Sequence, residues 1–88
     1  MKLIIAIVRD TDNDNVSHAL TAAEFRVTGI ASTGGFLRRG QSTLMIGLED
    51  SQVPQALEII RTNCTPATEP DQKSAVIFVL KVDQYIHY

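Results

Sequence analysis

Residues 2 to 8, Lys-Leu-Ile-Ile-Ala-Ile-Val, are apolar at nearly every position and rich in β-branched side chains. That pattern predicts a strand covered on both faces and central in its sheet. A polar stretch, Arg9 to Asn15, follows; then Val16, Ala19, Leu20 and Ala23 recur at i, i+3, i+4 and i+7, the spacing of an amphipathic helix. Asp12 or Asp14 is the expected cap of that helix. Phe25 to Thr33 again has the β-branched content of a strand and runs into a double glycine, with Phe36 to Gly40 as a loop. Strand character resumes over Gln41 to Glu49, which predicts an antiparallel neighbour for the preceding strand. Glu49-Asp50-Ser51 opens a second helix, with Pro54 in its first turn and an inner stripe of Val53, Ala56, Leu57, Ile60 and Cys64. Thr65 to Lys73 is a polar connector kept irregular by Pro66 and Pro70. The last strand is Ala75 to Val82, and an aromatic tail, Tyr85 to Tyr88, ends the chain.

This order, βαβ followed by βαβ, repeats one supersecondary unit across a single domain, residues 1–88. Its compact solution is an α+β, ferredoxin-like βαββαβ fold: a four-stranded antiparallel sheet with both helices on one face. Two helices cover only one face, yet Leu3, Ile5 and Ile7 point opposite to Ile4, Ala6 and Val8, and Val76, Phe78 and Leu80 opposite to Ile77 and Val79. A second apolar face of that size calls for another subunit, the alternative being a partly exposed sheet.

Composition sharpens this expectation. A chain of 88 residues buries only about 60 to 65 % of its unfolded surface, so its own core is thin. The only cysteine, Cys64, allows no internal disulfide, which leaves assembly as the way to add stability. A single thiol behind a start that reads Met1-Lys2 and enters a strand fits a cytoplasmic protein. The net charge of −2 with scattered basic residues argues against duplex nucleic acid as partner, and no apolar run is long enough for a membrane span.

The densest candidate chemistry lies between the second and third strands. Gly34-Gly35 alone could supply the positive φ of a turn. Five further residues, Phe36-Leu37-Arg38-Arg39-Gly40, intervene before strand character resumes, and they combine an aromatic ring, a leucine and two guanidinium groups. Glycine N–H groups and arginine suit an anion, and Phe36 offers a face to a base.

The strings Met1 to Val8, Phe25-Arg26-Val27-Thr28 and above all Ala31-Ser32-Thr33-Gly34-Gly35-Phe36-Leu37-Arg38 followed by Gly40 resemble the PII-like cyclic di-AMP receptor proteins. The resemblance runs without gaps from Met1 to about Cys64 and returns at Val76 to Leu80. It implies a signalling homotrimer without enzymatic activity, with cyclic di-AMP or a related adenine nucleotide held in the clefts between subunits. It further implies that Arg26 and Thr28 meet phosphate and that Gly35, Phe36 and Leu37 enclose an adenine. Gln41 would read that base, Gly47 would admit the ligand close to the backbone, and Phe78 would pack on the other base. Three positions depart from the family pattern: Gln41 replaces an asparagine, His87 a glutamine, and Thr65 to Lys73 stands where a longer loop rich in glycine and aromatics is usual.

Other signals are weaker. Asp10, Asp12 and Asp14 alternate like the start of a calcium loop, but Asn15 and Thr21 stand where glycine and glutamate are required. His18 and His87 are isolated, so spacing predicts no metal set and no cofactor. No nucleophile with an adjacent base is recognisable. Cys64 and Phe25 read as core. Two alternatives share the βαββαβ order: a metal-binding trimer of the copper-tolerance type, and an RNA-binding module, which would need aromatics on its central strands.

Overall fold

The computed structural model describes residues 1–30, 40–66, 74–86 and 88. Its strands are β1 (Lys2–Arg9), β2 (Arg26–Ile30), β3 (Gln41–Leu48) and β4 (Ala75–Lys81), and its helices α1 (Asp10–Ala22) and α2 (Val53–Asn63). The sheet order is β2-β3-β1-β4. All three pairings are antiparallel, and the hydrophobic β1 is central, between β3 and β4. This is the ferredoxin-like α+β arrangement that the hydrophobic pattern predicts.

The alternation along β1 sorts the two faces. Ile4, Ala6 and Val8 are buried together with Leu44, Ile46 and Leu48 of β3, and α1 and α2 close over them with Val16, Leu20, Ala56 and Ile60. Each fully buried aliphatic side chain here is worth about 1.5 to 3 kcal/mol relative to exposure. Phe25 and Cys64 also join this core, as their sequence context predicts.

The start of α1 differs from expectation. The helix begins at Asp10, immediately after β1, and no side chain caps it. Asp12 is inside the first turn and buried, with 1 % of its surface exposed, while Asp14 faces solvent. The Asp12 carboxylate is turned inward because it has strong donors there: Thr65 at the end of α2 donates from its backbone N–H (3.1 Å) and from its hydroxyl (2.6 Å). A buried charge tolerates its position only when hydrogen-bonded in this way, and that outweighs capping.

At its other end, α1 closes through Glu24, the described non-glycine residue with positive φ, at 70°. Glu24 N–H donates to Thr21 O (2.9 Å) and Phe25 N–H to Leu20 O (3.0 Å), the bond pattern of a Schellman motif. Phe25 is thereby delivered into the core at the start of β2. Before α2, a 3-10 turn over Asp50–Gln52 carries a reciprocal capping box between Glu49 and Gln52, and Pro54 occupies the helix's first turn as predicted.

Candidate functional site

The face of the sheet away from the helices carries three rows of cross-strand neighbours, read from the register. One is Arg26, Gly47, Leu3 and Leu80; the next Thr28, Met45, Ile5 and Phe78; the third Ile30, Thr43, Ile7 and Val76. Residues directly opposite in antiparallel strands share a face, so these side chains lie side by side. Phe78 is 50 % exposed, and Ile30, Val76 and Leu80 are similarly uncovered. The open apolar face expected from the alternation is therefore present.

At one end of this face is a cavity of about 590 Å³ lined by Met1, Lys2, Leu3, Arg26, Thr28, Met45, Gly47, Val82 and Tyr85. That volume falls in the range of small-ligand sites. Gly47 keeps the floor open: a Cβ there would come within 3.3 Å of the Met1 methyl. Charged groups gather at this end. Arg26 and Lys2 line the cavity, Lys81 pairs with Lys2 across the ladder, and the terminal ammonium of Met1 is 3.3 Å from Asp50. Arg26 and Thr28 thus offer a cation and a hydroxyl beside an apolar floor.

Of the residues singled out from the sequence, Arg26, Thr28 and Gly47 come together here. Gly35, Phe36 and Leu37 lie outside the described residues, as does His87. Gln41 opens β3 six positions from Gly47, roughly 20 Å away at the rise of a strand. Phe78 is in the same row as Thr28 but three strands across, roughly 14 Å at the usual strand spacing.

The Gln41 end has its own construction. Gly40, with φ of 86°, turns the chain into β3, and its carbonyl accepts from Asp10 N–H at 2.9 Å. Ser42 adds a hydrogen bond from its hydroxyl to the Asp10 carboxylate. Arg9, opposite Gln41, has Nε and Nη2 buried without a hydrogen-bond partner among the described residues. Two turns of chemistry therefore meet in the first turn of α1: Asp10 holds the root of one loop, and Asp12 holds Thr65 at the root of the connector to β4. Ser74, at the connector's far end, donates to Thr65 O at 3.0 Å, so both ends of that connector are tied together.

Sequence reasoning passed over Met1, Lys2, Met45, Val82 and Tyr85. Met45 was recoverable from register, since it stands opposite Thr28. Tyr85 had a signal too, as an aromatic in a tail with no helical or strand period. Burial, reinforced by the Asp12 carboxylate and opposed by Arg9, pushes the Cys64 thiol up from the usual range. Among the described residues, no group of three or more His, Cys, Asp or Glu side chains could hold a metal ion. No described helix is long and apolar enough to cross a membrane.

Comparison with known proteins adds two findings. The profile of the family described as "Cyclic-di-AMP receptor" matches residues 1–70. A crystal structure of a functionally unknown protein from Pediococcus pentosaceus ATCC 25745 is similar at 37 % identity with a TM-score of 0.78, over 99 % of this chain and 96 % of that one.

Proposed function

This chain belongs to the cyclic di-AMP receptor family, and from that premise we propose that it is a single-domain, PII-like signalling protein that binds cyclic di-AMP, or a related adenine nucleotide, between the subunits of a cytoplasmic homotrimer. The observation that carries the reading is the cavity over Arg26, Thr28 and Gly47, with guanidinium, hydroxyl and an uncovered backbone at one end of the sheet. A phosphodiester needs charge-assisted donors and no metal, and Arg26 with Thr28 supplies them. An adenine needs a flat apolar contact and a few hydrogen bonds.

The separation of the remaining residues supports an intersubunit site. Thr28, assigned to phosphate, and Phe78, assigned to the second base, stand three strands apart on one chain, roughly 14 Å. A neighbour packed on the open face brings its own Gln41 and Phe78 within reach, and the same packing covers Ile5, Met45 and Leu80. The loop containing Gly35, Phe36 and Leu37 completes the enclosure, and the protein acts by binding and release, without catalysis. The central strands β1 and β3 bear aliphatics, methionine and threonine on the open face, which favours this reading over a base-stacking RNA module.

Calorimetry with cyclic di-AMP, ATP and ADP tests the proposal. Binding of one of them well below millimolar is the expected result. Affinities no tighter than about millimolar for all three, worth only ~4 kcal/mol, defeat it. Sedimentation of the same samples reads the subunit number, and a monomer at every concentration would remove the intersubunit site.

A further inference from the structure

We infer that Arg9 is a second oxyanion receptor on the open face of the sheet, and that it takes the second phosphate of the bound dinucleotide from the subunit that lends its Gln41 to the ligand. This deepens the receptor reading above and rests on it. Cyclic di-AMP carries two phosphodiesters, and the cavity over Arg26 and Thr28 offers a guanidinium to one of them.

Arg9 belongs to the open face by alternation. It follows Leu3, Ile5 and Ile7 at every second position of β1, and its cross-strand partner is Gln41. Arg9 and Gln41 thus add a fourth row, next to the row of Ile30, Thr43 and Ile7. The buried side-chain nitrogens and oxygens without a hydrogen-bond partner among the described residues are Arg9 Nε, Arg9 Nη2 and Thr43 Oγ1, and all three fall in these two rows. Thr43, 7 % exposed, stands diagonal to Arg9, at a separation of roughly 7 to 8 Å that a long side chain spans.

The two nitrogens share one edge of the planar guanidinium, with their N–H groups parallel. That edge meets a phosphate or carboxylate with two hydrogen bonds at once. It is empty although carboxylates follow closely in the chain, because Asp10 accepts from Ser42 and Asp12 accepts from Thr65. Arg9 is also the residue that precedes the first turn of α1, where the positive end of the helix disfavours a cation. A partly buried guanidinium without a counter-ion costs the fold free energy, and an oxyanion arriving from outside offsets that cost. No described hydrogen bond has to break for the side chain to turn toward it.

The occupant follows from the spacing. Arg9 stands six positions from Leu3 along β1, roughly 20 Å from the row of Arg26, a span greater than that between the two phosphates of one cyclic dinucleotide. The neighbour that brings Gln41 to the cavity brings Arg9 with it, because the two are paired across β1 and β3. The ligand class is therefore a nucleotide with two separate phosphate groups, gripped from both subunits, and not a nucleoside monophosphate.

Two substitutions separate fork from charge: Arg9→Met removes both, and Arg9→Lys keeps the charge alone. In calorimetry at fixed ionic strength, cyclic di-AMP should bind about tenfold or more weakly to Arg9→Met and several-fold more weakly to Arg9→Lys, the range for a lost charge-assisted contact. Urea unfolding without ligand supplies the readout that a scaffold role would move. Arg9→Met should be at least as stable as the parent, since an unpaired cation is removed. Affinity of Arg9→Met within about twofold of the parent overturns the inference, and a urea midpoint that falls together with the affinity assigns Arg9 to the scaffold and overturns it too. If inorganic phosphate raises the parent's melting temperature through Arg9 while cyclic di-AMP affinity ignores Arg9→Met, the fork holds a free ion and the inference is again wrong. If the parent protein gives no binding heat with cyclic di-AMP, the receptor reading has failed and takes this inference with it. If the parent binds, loses affinity on Arg26→Ala and ignores Arg9→Met, only the Arg9 assignment is wrong.

Discussion

The two faces of this sheet are made from the same strands, yet they are covered unequally: toward the helices Val79 at the β4 edge is the large side chain left open, 43 % exposed. Toward the helices, Ile4, Ala6, Leu44 and Ile46 are sealed by Leu20, Ala56 and Ile60. On the other side, Leu3, Ile5, Ile7 and Met45 are only partly buried, and Phe78 and Leu80 are about half exposed. Alternation gives both faces nearly the same hydrophobicity, so the difference is one of cover and not of composition. The uncovered face is apolar and has at one end the cavity beside Arg26 and Thr28. The covered face is organised for the chain itself.

The largest effect should come from the helix-covered face. Ile4→Ala is expected to lower unfolding free energy by about 2 to 5 kcal/mol in urea titration, because the site cannot collapse around the lost atoms. The matched change on the other face, Ile5→Ala, should cost well under that in a dissociated chain and appear mainly as weaker self-association in sedimentation. Equal losses of monomer stability for the two would erase the comparison.

Next is the tie between α1 and the end of α2. Asp12→Ala removes the acceptor of two hydrogen bonds from Thr65 and should cost about 2 kcal/mol, read by thermal or urea unfolding. An effect within about 0.5 kcal/mol, as at an ordinary surface position, would show that the tie carries no weight.

Arg26→Ala sharpens the contrast from the open side. It should weaken cyclic di-AMP binding by about 1.5 to 3 kcal/mol in calorimetry, the range of a charge-assisted bond, while leaving stability within about 0.5 kcal/mol. Loss of stability with unchanged affinity would move Arg26 from the site to the scaffold.

The smallest effect is a pH dependence confined to the covered face. The folded protein holds the Cys64 proton more tightly than the unfolded chain does, mainly through burial. Stability from this group is therefore fully present below the ordinary thiol value of 9.0 and declines as pH rises above it. Cys64→Ala should flatten the fall in urea midpoint above the ordinary thiol value of 9.0. An unchanged alkaline slope would assign the fall to other groups.

Much of this fold was legible in the chain because periodicity is a local property. The two-sided apolar run of β1, the i, i+3, i+4 stripe of α1 and the Glu49 to Pro54 helix start all report the environment of neighbouring residues. Asp12 was misread for the complementary reason. Its sequence context is that of a cap, but its partner, Thr65, is 53 residues away. Tyr85 was read only as part of a tail, because nothing adjacent to it shows that Val82 pairs with Met1 and that the tail reaches the cavity. For the site, Arg26, Thr28 and Gly47 could be grouped from their strings, while their distance from Gln41 and Phe78 emerged only with the strand order.

By itself, then, the sequence determined the βαββαβ order, the surplus apolar face and, through Thr-Gly-Gly-Phe-Leu-Arg and its flanks, the receptor family. The tertiary structure decided that Val82 pairs with Met1, which residues share a row, and that a cavity lies where β1, β2, β3 and the segment after β4 converge. Hydrophobic alternation is written into consecutive residues and needs no partner to be read. Register, buried hydrogen bonds and a cavity are relations between residues far apart in the chain, and they exist only once the strands have paired.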